Sequence, residues 1–437
     1  MKVIKFGGTS LGTASRMKKV AKLVANENAI VVLSAVSGTT NSLAEIVQSL
    51  YKNDRNTAKE AIIELKKHYQ EYIGQLFSTE KQLTKAHNLV TSHFNHIDSF
   101  TEDLFTIHEE KTILAQGELL STAMFQLYLE EINIHSALLS ALDFMRIDKD
   151  LEPDSFYIQY NLTRELSTCE SQLYITQGYI CRNFFGEIDN LKRGGSDYTA
   201  ALIGEAIKAS EIEIWTDIDG MHNNDPRVVD KTYSIERLSY DEAAELAYFG
   251  AKILHPTSVY PAQLSGIPIY LKNTLNPEKV GTIIEKEVGI REFTAVAGKD
   301  GITAIKIKSA RMLLAYGFLR KIFDIFERYK TPIDVITTSE VAVSLTIDDH
   351  TNLNAIHEEL RYLGEVSIHK DLSIICVVGN FSHENRGSGN KIFECLKNVP
   401  IRMVSYGGSQ HNVSVVIETH YKKEAMIALN DGLFSHQ

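Results

Sequence analysis

Six short runs of nearly continuous apolar residues, spread through the first 290 positions and separated by segments of helical spacing, restrict this chain to few folds. They are "KVIKF" (2–6), "AIVVLSAV" (29–36), "HSALLSAL" (135–142), "LYITQGYI" (173–180), "IEIWTD" (212–217) and "IPIYLKN" (267–273). A strand with one wet face alternates apolar and polar residues, whereas one covered on both faces does not. Between the runs, Met17, Val20, Ala21 and Val24, and later Ala200, Ala201, Ile203, Gly204 and Ile207, recur at the spacing of a single helix face. Strands that are apolar throughout and alternate with helices predict a mostly parallel sheet sandwiched by helices. Residues 51–115, polar and rich in Lys, Glu, Gln and His, predict a solvated helical insertion.

The tail follows a different plan and repeats itself. "KIFDIFERYKTPIDVITTSEVAVSLTID" (321–348) aligns with "KIFECLKNVPIRMVSYGGSQHNVSVVIE" (391–418), matching Lys321-Ile322-Phe323 to Lys391-Ile392-Phe393 and Pro332-Ile333 to Pro400-Ile401. Each copy reads as an apolar-striped helix, a Pro-Ile entry to a strand, a polar turn and an alternating strand. That is the ferredoxin-like βαββαβ plan, present twice.

Composition removes several function classes. A net charge of −11 provides no basic field for a phosphate backbone, so nucleic acid is not an expected partner. Cys169, Cys181, Cys376 and Cys395 lack CxxC spacing, which argues against zinc and disulfides and for reduced core thiols in the cytoplasm. No apolar run approaches the roughly 18 to 20 residues that span a bilayer, and the chain opens on a strand where a signal peptide would need its apolar region.

The polar punctuation between strands carries the chemistry. In "KFGGTS" (5–10), Gly7 and Gly8 let backbone N–H groups approach an anion, Thr9 and Ser10 offer hydroxyls and can cap the next helix, and Lys5 adds a full charge. The glycines fail the GxxxxGK[ST] and GxGxxG spacings, leaving an anion site or a plain tight turn. "LKRGGSDYTAAL" (191–202) repeats the device with Gly194 and Gly195, an Arg193 fork suited to carboxylate or phosphate, and Ser196 and Asp197 as anion ligands or as N-caps. Thr216 and Asp217 end a strand in "WTDIDGMHNNDPRVV" (215–229), where Arg227 follows in a second turn. Lys252 in "GAKILHP" adds charge to a ligand or to nearby carbonyls, and Glu118 in "QGELLST" is either a site acid or a helix N-terminal charge.

Taken in order, "KFGGTS", "GELLST", "RGGSDYTAAL", "WTDIDG…DPR" and "GAKILHP", ahead of the doubled tail, closely resemble the aspartokinases, members of the amino acid kinase family. The resemblance implies an amino acid kinase domain over 1–292 and two ACT domains. The first would span 301–372, completed by 419–437, with the second, 373–418, inserted in it. It also implies a monofunctional, lysine-sensitive type, cytoplasmic, homodimeric through the ACT domains, using ATP and Mg²⁺ to phosphorylate L-aspartate. Lys5, Gly7 and Gly8 would hold nucleotide phosphates, and Ser34, Thr40, Glu118 and Arg193 the aspartate. Asp197 would orient the catalytic Lys5, and Ser196, Thr216, Asp217, His222, Arg227 and Lys252 would contact nucleotide. Lysine, or threonine, would inhibit through Met312, Gly317, Leu319, Asp334, Thr338, Ser339 and Glu340. Three positions depart from the family pattern: "EIDNLK" replaces a threonine-rich "TTTLG", His222 replaces a tyrosine, and Ala315 replaces a serine.

The residue types suit that reaction. A side-chain carboxylate with pKa about 3.9 is ionised at neutral pH, so its attack on phosphorus needs no general base. The obstacle is repulsion between anions, and a cation about 4 Å away at an effective dielectric near 20 offsets on the order of 4 kcal/mol before desolvation. Competing readings are another amino acid kinase and a catalytically silent amino-acid sensor.

Overall fold

The computed structural model describes the chain apart from residues 103, 192–193, 251–253, 290, 314–315, 383–385 and 435–437. Its contacts divide into two units: Met1–Met221, Glu236–Ala244 and Ile253–Val288 in one, and His222–Ile235, Glu245–Lys252 and Gly289–Gln437 in the other.

The first unit contains β1 (Lys2–Phe6), β2 (Ala29–Leu33), β3 (Ala137–Leu139), β4 (Leu173–Gln177), β5 (Ile180–Arg182), β6 (Ile188–Asn190), β7 (Ile212–Thr216), β8 (Arg237–Ser239), β9 (Ile269–Asn273) and β10 (Thr282–Glu285). Its helices are α1 (Ala14–Val24), α2 (Thr39–Tyr51), α3 (Arg55–Leu76), α4 (Glu80–Ser99), α5 (Ile107–Glu131), α6 (Ala141–Phe144), α7 (Ser155–Thr168), α8 (Gly195–Ile207) and α10 (Pro256–Ser265). Helix α9 (Tyr240–Phe249) is divided between the two units. Eight strands form one sheet in the order β3-β4-β2-β1-β7-β9-β10-β8, and every neighbouring pair is parallel except β9 with β10. All residues of β2 and β4 are buried, as the unbroken apolar run of β2 requires, with Thr176 and Gln177 of β4 buried as polar residues.

Three expectations change. "HSALLSAL" is strand only over Ala137–Leu139, because Ser140 opens the short α6. "LYITQGYI" breaks after Gln177, where Tyr179 takes φ 67° and the chain restarts as β5. The insertion is helical, but it is not a solvated appendage. Tyr69 and Ile73 of α3 and Phe94 and Ile97 of α4 are fully buried in the same cluster as Phe6, Val31 and Leu33. A bundle this deeply packed holds α2 and α5, and hence the loops they bound, in one position.

The second unit contains β11 (Phe293–Lys308), β12 (Ile336–Thr338), β13 (Ala342–Ile347), β14 (Glu365–Gly379), β15 (Ile401–Tyr406) and β16 (Asn412–Glu418), with α11 (Phe318–Arg328), α12 (Leu353–Leu360), α13 (Ser388–Cys395) and α14 (Lys422–Phe434). Its sheet is antiparallel, in the order β12-β13-β11-β14-β16-β15. The long strands β11 and β14 pair along their length and break register together between Lys299 and Ala304, where Gly301 (φ 76°) and Asp371 (φ 57°) turn left-handed. On one side of the break Ile305, Ile307, Phe318, Ile322, Val343 and Leu360 form the core of the first copy. On the other, Phe293, Val296, Ile375, Ile392, Val415 and Leu429 form that of the second. The C-terminal helix therefore completes the second copy, not the first as expected from 419–437. The first copy is the uninterrupted one, set between the two halves of the second.

No described helix is long and apolar enough to cross a membrane. All four cysteines are thiols, but only Cys181 and Cys376 are core residues, and Cys169 is exposed.

Candidate active site

The polar groups gather at the C-terminal ends of β1, β2, β4 and β7. The backbone stays knitted there beyond the strands: Gly7 N–H donates to the Trp215 carbonyl (3.2 Å), Ser34 N–H to Phe6 (3.2 Å) and Gly178 N–H to Leu33 (2.9 Å). After β1 the chain forms a 3₁₀ turn, Gly8–Leu11, in which a Cβ on Gly8 would stand 3.0 Å from the Ala35 carbonyl oxygen. The expected capping by Thr9 and Ser10 is not made. Thr13 caps α1, accepting from the Arg16 N–H, while the Ser10 hydroxyl is buried against Thr274 Oγ1 at 2.6 Å.

Facing this turn is the first turn of α8, which Gly194 (φ 71°) and Gly195 (φ 46°) enter in left-handed conformations that favour glycine. Asp197 of that turn pairs with Lys5 Nζ at 2.5 Å, both side chains largely shielded. Ser34 Oγ donates to Ser196 Oγ at 2.8 Å, and the Ser34 carbonyl accepts from Ser121 Oγ at 2.8 Å. Ala35 N–H donates to Glu118 Oε1 at 3.2 Å, and Glu118 Oε2 is buried with no partner. Burial pushes this carboxyl up to about 8, against the pull of the Ala35 N–H. A carboxylate shielded in this way and half unsatisfied is a receptor for a cation that brings its own N–H donors.

Thr216 ends β7, the strand beside Lys5, and Asp217 follows it, its N–H donating to Thr216 Oγ1 at 2.7 Å. Thr40 is exposed in the first turn of α2. The structure thus brings together Lys5, Gly7, Gly8, Ser34, Glu118, Ser196 and Asp197. Arg193 and Lys252, and with them Ala315, lie outside the described residues. His222 and Arg227 fall in the second unit: His222 Nδ1 is 3.2 Å from Thr232 Oγ1, and Arg227 donates through Nε and Nη2 to Asp225 Oδ1 and Oδ2 at 3.0 and 2.8 Å.

Two contributors receive no role from the motifs. Ser121 is one, inside "GELLST" and carried on α5 three residues after Glu118. The other is Gly178, where a Cβ would overlap the Ser196 side chain and stand 2.8 Å from its Cα. Gly178→Ala is expected to push the start of α8 off its seat and to lower kcat by about a hundredfold, the usual cost of roughly an ångström of misplacement. Steady-state kinetics with a circular-dichroism check of the fold would test this, and unchanged kcat would show that the helix tolerates the shift.

Among the residues expected to bind an inhibitor, Met312 ends a 3₁₀ turn, Gly317 (φ 77°) is the N-cap of α11 and Leu319 lies in its first turn. Thr338, Ser339 and Glu340 are exposed, and Ser339 N–H donates to the Ala342 carbonyl at 2.8 Å. Asp334 differs from the rest. Its side chain is 1% exposed, Oδ1 accepts from Lys299 Nζ (2.8 Å) and the Tyr248 hydroxyl (2.7 Å), and Oδ2 is buried without a partner. Lys299 also reaches Asp348 Oδ2 at 2.8 Å.

Residues 1–273 match the model of the amino acid kinase family, and residues 375–433 that of an ACT domain. The chain is 33% identical to lysine-sensitive aspartokinase 3 of Escherichia coli, over 99% of both chains, and 32% identical to chloroplastic aspartokinase 1 of Arabidopsis thaliana, over 99% of this chain and 80% of the relative. The crystal structure of E. coli aspartokinase III with aspartate and ADP (R-state) superposes with a TM-score of 0.87 at 31% identity, covering 99% of this chain and 100% of the other. The T-state structure of that enzyme with lysine and aspartate gives 0.80 at 31% identity, covering 99% of each chain.

Proposed function

This chain belongs to the amino acid kinase family and, within it, to the aspartokinases, and on that footing we propose that it transfers the γ-phosphoryl group of ATP to the side-chain carboxylate of L-aspartate. The product is 4-phospho-L-aspartate, an acyl phosphate at the entry to lysine, threonine and methionine synthesis. The observation that carries the assignment is Glu118, whose partnerless buried oxygen calls for an ammonium, close in the chain of contacts to Ser34, Ser196 and the Lys5–Asp197 pair. The α-ammonium of aspartate satisfies Glu118. Its side-chain carboxylate, already ionised, attacks phosphorus with no base. Lys5, its ammonium held by Asp197, neutralises charge on the transferring phosphoryl group. Among the described residues no three His, Cys, Asp or Glu side chains converge as a metal cage. Mg²⁺ would arrive on the nucleotide, held mainly by phosphate oxygens and water.

Lysine inhibition through the first ACT copy is supported by Asp334, a buried carboxylate already matched to one ammonium, that of Lys299, with an oxygen to spare. In the second copy the residue after the aligned Pro-Ile is Arg402, paired with Glu418 at 2.5 Å, which repels an ammonium. Homodimerisation through the ACT sheets and a cytoplasmic location complete the reading.

Incubation with ATP, Mg²⁺ and aspartate in the presence of hydroxylamine tests the proposal. Aspartyl hydroxamate is expected, none should form from glutamate, and added lysine should suppress the signal. A chain that forms no hydroxamate from aspartate is a sensor, not a kinase.

A further inference from the structure

We propose that Tyr69 and Tyr72, on helix α3 of the insertion, are positioning residues for phosphoryl transfer: Tyr69 fixes the segment that holds aspartate, and Tyr72 the turn that holds the nucleotide phosphates. The inference rests on the reading of those two loops as the substrate sites of an aspartate kinase.

Three residues apart on one helix, the two side chains share a face of α3 and enter the core that also holds Phe6 and Leu33. Tyr69 is 0% and Tyr72 5% exposed, and the Tyr69 ring is backed by Phe94 of α4, with centroids 5.8 Å apart. A core that needed only their volume would be served by phenylalanine. Each ring instead ends in a hydroxyl, and a buried hydroxyl requires a partner. Both partners belong to loops of the site.

The Tyr69 hydroxyl lies 2.8 Å from Thr39 Oγ1, which is buried at the first residue of α2. Thr39 closes the segment that begins with Ser34 and Ala35, whose N–H donates to Glu118, and it precedes Thr40. Its methyl is confined as well: a Cβ on Gly117, the residue before Glu118, would stand 3.2 Å from Thr39 Cγ2 and 2.8 Å from Ala35 Cβ. With its hydroxyl on α3 and its methyl against α5, Thr39 is held from two sides. Gly38 (φ 88°) gives α2 no side-chain cap, so a bond from outside the helix fixes where it begins. Tyr72 does the same for the other loop. Its hydroxyl donates to the Leu11 carbonyl at 2.7 Å, at the end of the 3₁₀ turn Gly8–Leu11 that follows Lys5 and Gly7. Burial raises both phenols well above their ordinary value, for Tyr69 against the Thr39 bond and with the Glu118 charge adding to the rise, so both stay neutral hydroxyls near neutral pH. One packed helix thus sets two loops whose ligands must meet at reacting distance, where a misplacement of about an ångström is felt.

Tyr69→Phe and Tyr72→Phe each remove one oxygen and no ring, so thermal melting should report a folded protein for both. Tyr69→Phe is expected to raise KM for aspartate about fivefold, the scale of one lost buried hydrogen bond, with KM for ATP within about twofold, and Tyr72→Phe to do the reverse. Thr39→Val cuts the first bond from its other end. It should match Tyr69→Phe, and the two together should go no further than either alone. General loosening of a core does not produce this crossed pattern. Equal losses for both substrates, a loss in only one of the two tyrosine variants or in neither, or additive effects of Tyr69→Phe and Thr39→Val overturn the proposal, and leave the kinase reading standing where the wild type forms aspartyl hydroxamate. A wild type that forms none removes both together. Should Tyr69→Phe fail to fold, Thr39→Val takes its place and is judged by the same criteria.

Discussion

Lys5→Ala is expected to lower kcat by about two to three orders of magnitude, the scale on which removal of one preorganised electrostatic partner of a reacting oxyanion is felt, with KM for aspartate changed little. The direction follows from the 2.5 Å pair with Asp197. In the free enzyme the carboxylate fixes the ammonium. Without the ammonium that carboxylate is a shielded negative charge in the site of an anionic nucleotide, so the variant both loses a cation and gains a repulsion. The second effect is separable: Lys5→Ala combined with Asp197→Asn should recover part of the loss, because the repulsion goes and the missing cation stays missing. Single-turnover phosphoryl transfer, with saturating ATP, measures the step directly. A Lys5→Ala enzyme that turns over at the wild-type rate would place the catalytic charge elsewhere.

The parallel sheet was readable from the sequence because burial on both faces writes itself as unbroken apolar runs, as in β2, and the glycine turns were readable because Gly194 and Gly195 occupy conformations few other residues tolerate. What was missed depends on distant contacts. The inner stripe of the insertion, Tyr69, Ile73, Phe94 and Ile97, is diluted by so many Lys, Glu and His residues that its composition reads as solvated. Insertion of the first ACT copy between the halves of the second shows in the long strands β11 and β14, which run through both and pair 70 residues apart at the register Ile302↔Leu372, and no local pattern distinguishes it from an ordinary tandem repeat. The motifs pointed to Lys5, Ser34, Glu118, Ser196 and Asp197, which the fold brings together, but their partners came from the fold: Ser121 against the Ser34 carbonyl, Gly178 under Ser196, Ala35 N–H on Glu118. A segment that reads as a nucleotide loop, "HNNDPR", proves to be fastened through its two asparagines to the C-terminal helix. Asparagine pairs in a turn ordinarily mark only the turn itself.

Glu118→Gln should abolish useful aspartate binding while making the folded protein more stable above neutral pH. The two effects have one cause. Burial holds the Glu118 carboxyl near 8 against an ordinary 4.5, so at pH 7 the substrate-free enzyme carries it largely protonated, and aspartate binding must expel that proton. The kcat/KM for aspartate is therefore expected to climb with pH below about 8 and level off above it, with the slope vanishing in the glutamine variant. Replacing a buried charge partner of the ammonium costs roughly 2 kcal/mol or more, so KM for aspartate should rise at least about thirtyfold, with KM for ATP nearly unchanged. Stability runs the opposite way. Below about pH 4.5 the carboxyl is protonated in both states and contributes nothing. From there to about 8 the unfolded chain releases the proton and the folded one retains it, so rising pH favours unfolding, and above 8 the full penalty persists. Glutamine keeps an oxygen for the Ala35 N–H and bears no charge, so the Tm difference should widen in the variant's favour between about pH 5 and 8. A glutamine variant whose Tm tracks wild type across that range would mean that Glu118 is already ionised in the empty site. The positive charge balancing it would then have to come from the enzyme and not from the substrate.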